Sequence, residues 1–199
     1  MWKINQIEEE ALKMMRSRTL DEGLALFLQR VESTLEQTTR EDFFPHAAPS
    51  TTGVWEGKRE GMWTSGFWPG LLWQRAALTG RAEDVATATA WTLRLAPHLD
   101  HKTYDIGFVF SSSAVLGWEI GKVPACRNLA LQAAERMAGM VNPEVGVIPV
   151  GSQAELAAAS DDVTIDCMGN LALLWWAWKV TGDARFRDVA VSHADRTAT

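Results

Sequence analysis

Helices that are apolar on every side alternate along this chain with helices that are apolar on one side only, and few folds accept that alternation. Residues 65–78, 107–120 and 163–180 read as helices with apolar side chains all round. Each is followed by an amphipathic helix, at 82–97, 124–140 and 183–198, the middle one with Arg127, Gln132, Glu135 and Arg136 outward. A helix apolar all round lies in an interior, and an amphipathic one covers it. Three inner–outer pairs in a row predict an all-α fold, an α/α barrel or toroid of helical hairpins. The turns LTGRAED and VTGDARF share one form, a Gly ending one helix and an acidic residue opening the next.

Ahead of this pattern lie a short amphipathic helix at 7–17 and a second helix at 20–38 with Leu24, Leu26, Phe27, Val31 and Leu35 near helical spacing. A loop rich in Pro, Gly, Ser and Thr runs from 39 to 62, long enough for a functional rim or lid. One hairpin is expected, around 145–150.

The chemistry belongs in the loops that lead into the inner helices. In WTSGFWPG, Trp63, Phe67 and Trp68 surround Gly66. Gly lets rings approach a ligand closely, and Trp offers a flat face for a sugar. The competing reading packs Trp68 and Trp73 into the interior, and it is favoured for Trp73. Ten Trp stand against a single Tyr; Trp175, Trp176 and Trp178 fall on several faces of one helix and read as core. The second loop carries Asp105 and the third Asp166. A carboxylate just before an apolar helix can cap it, and for Asp105 that reading stands beside the catalytic one. For Asp166 capping is less natural, because Ser160, Asp161 and Asp162 already offer caps. Set among Ile165, Cys167 and Met168, Asp166 would be desolvated and would hold a proton more tightly, as a general acid must.

His101, Lys102, Lys58 and Arg59 could meet an anionic ligand, although each alone reads as surface. Ser111, Ser112 and Ser113 lack the setting of a nucleophile. His193 reads as a surface residue of an amphipathic helix. The net charge of −6 and the lack of any dense Lys/Arg run exclude nucleic acid. No apolar run could span a membrane, and the N-terminal segment has no secretory core. Cys126 and Cys167 are the only cysteines, and their spacing suggests neither a metal site nor a disulfide framework. A reducing, cytoplasmic compartment is expected.

WTSGFWPGLLW, YDIGFVFSSS, IDCMGNLALLWWAW and TGDARFRDVAVSHADRT, in this order and approximate spacing, resemble the unsaturated glucuronyl hydrolases, glycoside hydrolase family 88. The resemblance runs from about residue 52 to the end of the sequence. It implies a six-hairpin α/α barrel of which residues 1–199 are the N-terminal portion of a single catalytic domain, cut to about half. It implies removal of the 4,5-unsaturated glucuronic acid at the non-reducing end of lyase-generated oligosaccharides, with no metal or cofactor. Asp166 matches the family's general acid/base and Asp105 its partner; Trp63, with Trp68 as the alternative, matches the Trp that lines the sugar site. Tyr104 stands where the family commonly has His, so a neutral phenol replaces a chargeable imidazole in substrate recognition. Further substrate-binding residues of the family, a His, an Arg and aromatics, come from its second half. The same residues also fit an unsaturated rhamnogalacturonyl hydrolase or a non-catalytic glycan binder. An open half-barrel would expose apolar flanks, so a homo-oligomer is expected.

Overall fold

A computed structural model describes residues 19–101, 103–150 and 162–198. The helix expected at 7–17, the caps expected at Ser160 and Asp161, and Lys102 lie outside the described residues. The chain divides into two compact units, residues 1–41 and 42–199.

Within the first unit, α1 (Leu20–Glu41) begins at a reciprocal cap. The Thr19 hydroxyl accepts the Glu22 N–H at 3.3 Å, and the Glu22 carboxylate accepts the Thr19 N–H at 2.8 Å. Two otherwise orphaned donors are thereby satisfied together.

The second unit opens with a departure from expectation. The segment expected as a plain loop contains an antiparallel hairpin, β1 (Phe44–Ala47) and β2 (Glu56–Lys58), with an irregularity between Pro45 and Ala47. Its anchor is Phe44, buried edge-on against Trp91 at 5.0 Å under the guanidinium of Arg94. Such an anchor lies far along the sequence and leaves no local pattern. Near the expected hairpin at 145–150 there is a single bridge, Asn142 to Val147.

Three helical hairpins then follow in the predicted order. The first pairs α2 (Phe67–Thr79) with α3 (Ala82–Leu93), followed by a 3₁₀ turn at Ala96–Asp100. Trp73 is fully buried and its indole N–H donates to Thr92 Oγ1 at 2.9 Å, so its core reading holds. The turn closes on buried Asp84, which accepts from half-buried Thr79 at 2.6 Å and pairs with buried Arg75 at 3.0 Å.

The second hairpin has a composite inner helix: α4 (Ile106–Phe110), a π-helical stretch (Ser111–Val115) and α5 (Leu116–Glu119), covered by α6 (Pro124–Ala138). Ser111 and Ser113 donate to the carbonyls of Gly107 and Val109, four residues back. Hydroxyls satisfy carbonyls that the wider turn leaves open. In the third hairpin, α7 (Cys167–Asn170) leads into α8 (Ala172–Thr181), covered by α9 (Ala184–Thr197).

The repeated turns have the same backbone. Gly80 and Gly182 end α2 and α8 in the left-handed conformation, φ 66° and 77°. The hydroxyls of Thr79 and Thr181 accept the N–H groups of Arg81 and Asp183. His193, expected at the surface, is fully buried in α9 and accepts the Ile148 N–H at 3.0 Å. Its polarity hid a tertiary role. Of the α8 tryptophans, Trp176 is buried, whereas Trp175 is 38% exposed and rests against Trp178.

Candidate active site

The two inner-helix N-termini that carry acids lie side by side. Asn170, fully buried, accepts the Phe108 N–H at 2.5 Å and donates to the Asp166 carbonyl at 3.4 Å. Gly107 makes this contact feasible: a Cβ there would fall 2.5 Å from Asn170. Asn170 therefore fixes the start of α4 against the start of α7, and with them the two acids.

Both acids occupy N-cap positions, yet neither side chain caps its helix. Their oxygens accept other donors. Thr103 donates to Asp105 Oδ2 at 3.0 Å, and Thr164 donates to Asp166 Oδ1. The two loops thus repeat one device, Thr-x-Asp, with the hydroxyl two residues upstream holding the carboxylate. Tyr104 crosses between the loops and its phenol donates to Asp166 Oδ2 at 3.2 Å.

The electrostatics differ from the expectation that Asp166 would be the desolvated acid. Asp166 is exposed, and Ile165, expected to shield it, is 77% exposed. Desolvation falls on Asp105 instead: burial pushes its carboxyl above the ordinary range, the Thr103 bond opposes this, and the nearby Asp166 adds to it. The phenol of Tyr104 is also pushed up, first by burial and further by both carboxylates, while Thr164 acts the other way. Burial and the same two anions push the Cys167 thiol up to about 12, so it is an inert neighbour.

Of the two candidate sugar-facing tryptophans, only Trp63 is open. It is 48% exposed and meets Phe67, Phe108 and His46 at ring-centroid distances of 6.4–6.5 Å. Trp68, named as the alternative, is 2% exposed and packs edge-on against Trp91 at 6.0 Å, which removes it from any ligand surface. His46 hydrogen-bonds Thr64 at 2.7 Å and brings β1 beside Trp63. The site therefore contains an aromatic group formed by Trp63, Phe67, Phe108 and His46. His46, Phe108 and Asn170 were not singled out from the sequence; for Asn170 the available signal was its place one turn after Asp166. Among the described residues, no group of three or more His, Cys, Asp or Glu is placed to hold a metal ion.

No protein-family model matches the chain. Individual proteins do. An unsaturated glucuronyl hydrolase of Bacillus sp. (strain GL1) is 36% identical over 160 residues, 77% of this chain and 41% of that protein. An unsaturated chondroitin disaccharide hydrolase of Streptococcus pyogenes serotype M1 is 33% identical over 136 residues, 66% of this chain and 34% of that protein. Among solved structures, a UGL with an Asp→Asn substitution, together with dGlcA-Glc-Rha-Glc, matches with a TM-score of 0.76 and 29% identity. The Bacillus sp. GL1 enzyme matches with a TM-score of 0.74 and 28% identity; each covers 90% of this chain and 48% of the other. The helical hairpins described above are thus those of an all-α barrel, and the chain spans about half the length of its solved relatives.

Proposed function

We propose, from the premise that this chain belongs to the unsaturated glucuronyl hydrolase family, that its site serves a hydrolase that removes 4,5-unsaturated glucuronic acid from the non-reducing end of lyase-generated oligosaccharides. The observation that carries the reading is the convergence of Asp105, Tyr104 and Asp166 at the N-termini of two adjoining inner helices. The relatives' names favour the glucuronyl reading over the rhamnogalacturonyl one and over a non-catalytic glycan binder.

The unsaturated ring holds a vinyl ether, C4=C5 conjugated with the ring oxygen. Protonation at C4 leaves positive charge shared by C5 and that oxygen. Asp166 is the group to deliver the proton, because it stands open to a ligand while Asp105 is half-buried. The Asp166 carboxylate then takes a proton from water as the water oxygen bonds to C5. The resulting hemiketal opens and releases the leaving sugar as an alcohol. Asp166 thereby regains the proton it gave to C4. Trp63 offers its exposed face to the sugar.

In this reading residues 1–199 form the N-terminal portion of one catalytic domain, its partner is an unsaturated uronic-acid oligosaccharide, and its compartment is the cytoplasm. No helix among the described residues is long and apolar enough to cross a membrane. Exposed apolar side chains on α2 and α8 make a homo-oligomer part of the proposal. The test is Asp166→Asn in a protein that also carries the second half of the barrel, followed through loss of the unsaturated chromophore's ultraviolet absorbance. Loss of general acid–base work lowers the rate by ~100- to 10,000-fold. Turnover at the unsubstituted rate would remove Asp166 from the mechanism.

A further inference from the structure

Tyr104 is the one tyrosine in 199 residues, and it belongs to the loop of one acid while bonding to the other. Its neighbours in sequence, Thr103 and Asp105, bond to each other. Its phenol instead spans 62 positions to Asp166 Oδ2 at 3.2 Å. The opposite oxygen, Oδ1, accepts from Thr164 in the acid's own loop. Among the described residues, Asp166 therefore has one donor on each oxygen of an exposed side chain, one local and one brought by tertiary structure.

We propose that Tyr104 is a positioning residue, whose phenol fixes the rotamer of Asp166 and aims its free lone pairs at the open side of the site, rather than a substrate-binding group. A carboxylate on an exposed loop samples several rotamers, and proton transfer tolerates little misplacement. Two donors on opposite oxygens leave one orientation. Hydroxyls suit this task, since they bind the carboxylate without neutralising it as a cation would. The phenol keeps its proton throughout the working range, because burial and the anions of Asp105 and Asp166 oppose its ionisation. Among the described residues, those two acids are the charged groups that act on it, and Thr164 is its other polar neighbour. The functional part of this inference rests on Asp166 as the proton-transferring group; the bond itself does not.

A single tyrosine makes the bond readable in the whole chain, whatever its association state. The Raman tyrosine doublet reports whether a phenol donates or accepts. The unsubstituted chain is expected to show a strong donor. Asp166→Ala should abolish the donor signature, while Asp105→Asn should keep it. A doublet indifferent to Asp166→Ala overturns the proposal whether or not the chain is a hydrolase. The kinetic arm uses Tyr104→Phe, in this chain joined to the second half of a solved relative, with an unsaturated chondroitin disaccharide. Loss of a hydrogen bond to a charged group should lower kcat by ~10- to 100-fold with KM within about twofold. A raised KM with unchanged kcat would assign the phenol to substrate and overturn the positioning role. If the joined protein folds and does not turn over the disaccharide while the doublet responds to Asp166→Ala, the reading of function fails and the bond stands.

Discussion

Asp105 and Asp166 share a residue type, a helix position and a Thr-x-Asp setting, yet the fold treats them differently. Asp105 is half-buried, and burial plus the neighbouring anion raise its pKa. The folded chain therefore binds that proton more tightly than the unfolded chain does. The stabilisation is fully present below the ordinary carboxylate pKa and is lost as pH rises through the folded value. At neutral pH the ionised Asp105 thus destabilises the fold. Asp105→Asn keeps an acceptor for Thr103 and removes the charge. It should melt at a higher temperature than the unsubstituted chain at pH ~7, with the difference shrinking toward pH ~4 and below. Thermal melts at the two pH values check this; an Asn variant less stable at neutral pH would show that the carboxylate is held by something stronger than its burial. The acids themselves were legible in the sequence because polar residues interrupt apolar runs at Asp105 and Asp166. Which of the two is desolvated was not legible. Local neighbours such as Ile165 and Met168 suggested Asp166, but Ile165 points to solvent, and burial depends on packing that sequence neighbours do not determine. His193 and Trp68 show the same thing from opposite sides, a polar residue buried and a sugar-facing candidate lost to the core.

Among the elements, the hairpins followed from periodicity and the turns from chemistry, so α2, α3, α6 and α9 begin and end within a few residues of expectation. The composite inner helix and the β1–β2 hairpin did not follow, because both depend on distant contacts. The start of α2 packs closely against α4 and the π-helical stretch. A Cβ on Gly66 would fall 2.1 Å from the Val109 carbonyl oxygen, and one on Gly70 would fall 2.5 Å from that of Ser112. The position that couples elements to chemistry is Gly107, against Asn170. Gly107→Ala would force α4 from α7 and pull the Phe108 N–H off Asn170 Oδ1. Overpacking of this kind costs about 1–3 kcal/mol. Gly139→Ala is the matched control, since its Cβ would meet nothing nearer than 3.4 Å and its φ is −72°. Denaturant unfolding should show the first variant clearly destabilised and the second close to unchanged. Equal effects would mean that loss of glycine, and not the Asn170 contact, is being measured.

At the scale of the molecule, apolar side chains remain open on the two outermost inner helices of the second unit. On α2, Phe67, Leu71 and Leu78 are each 42–48% exposed at helical spacing. On α7 and α8, Met168 and Trp175 are exposed in the same way, with Ile165 just ahead of them. Scattered apolar residues are ordinary on a surface, but aligned stripes on inner helices mark surfaces meant for contact. The all-α barrel relatives of this chain are about twice its length. The resemblance assigns to their second half a His, an Arg and aromatics that bind substrate, and the net charge of −6 supplies no general attraction for an anionic sugar. The chain as given should therefore self-associate and turn over an unsaturated chondroitin disaccharide slowly or not at all. Size-exclusion chromatography with light scattering should give a mass above 22.0 kDa that rises with concentration. Leu71→Lys combined with Trp175→Glu should move it toward the monomer without changing helical content, since neither side chain is in the core. A 22.0 kDa species at every concentration, with brisk loss of ultraviolet absorbance from the disaccharide, would mean that these stripes need no cover and that the site is sufficient with the residues it has.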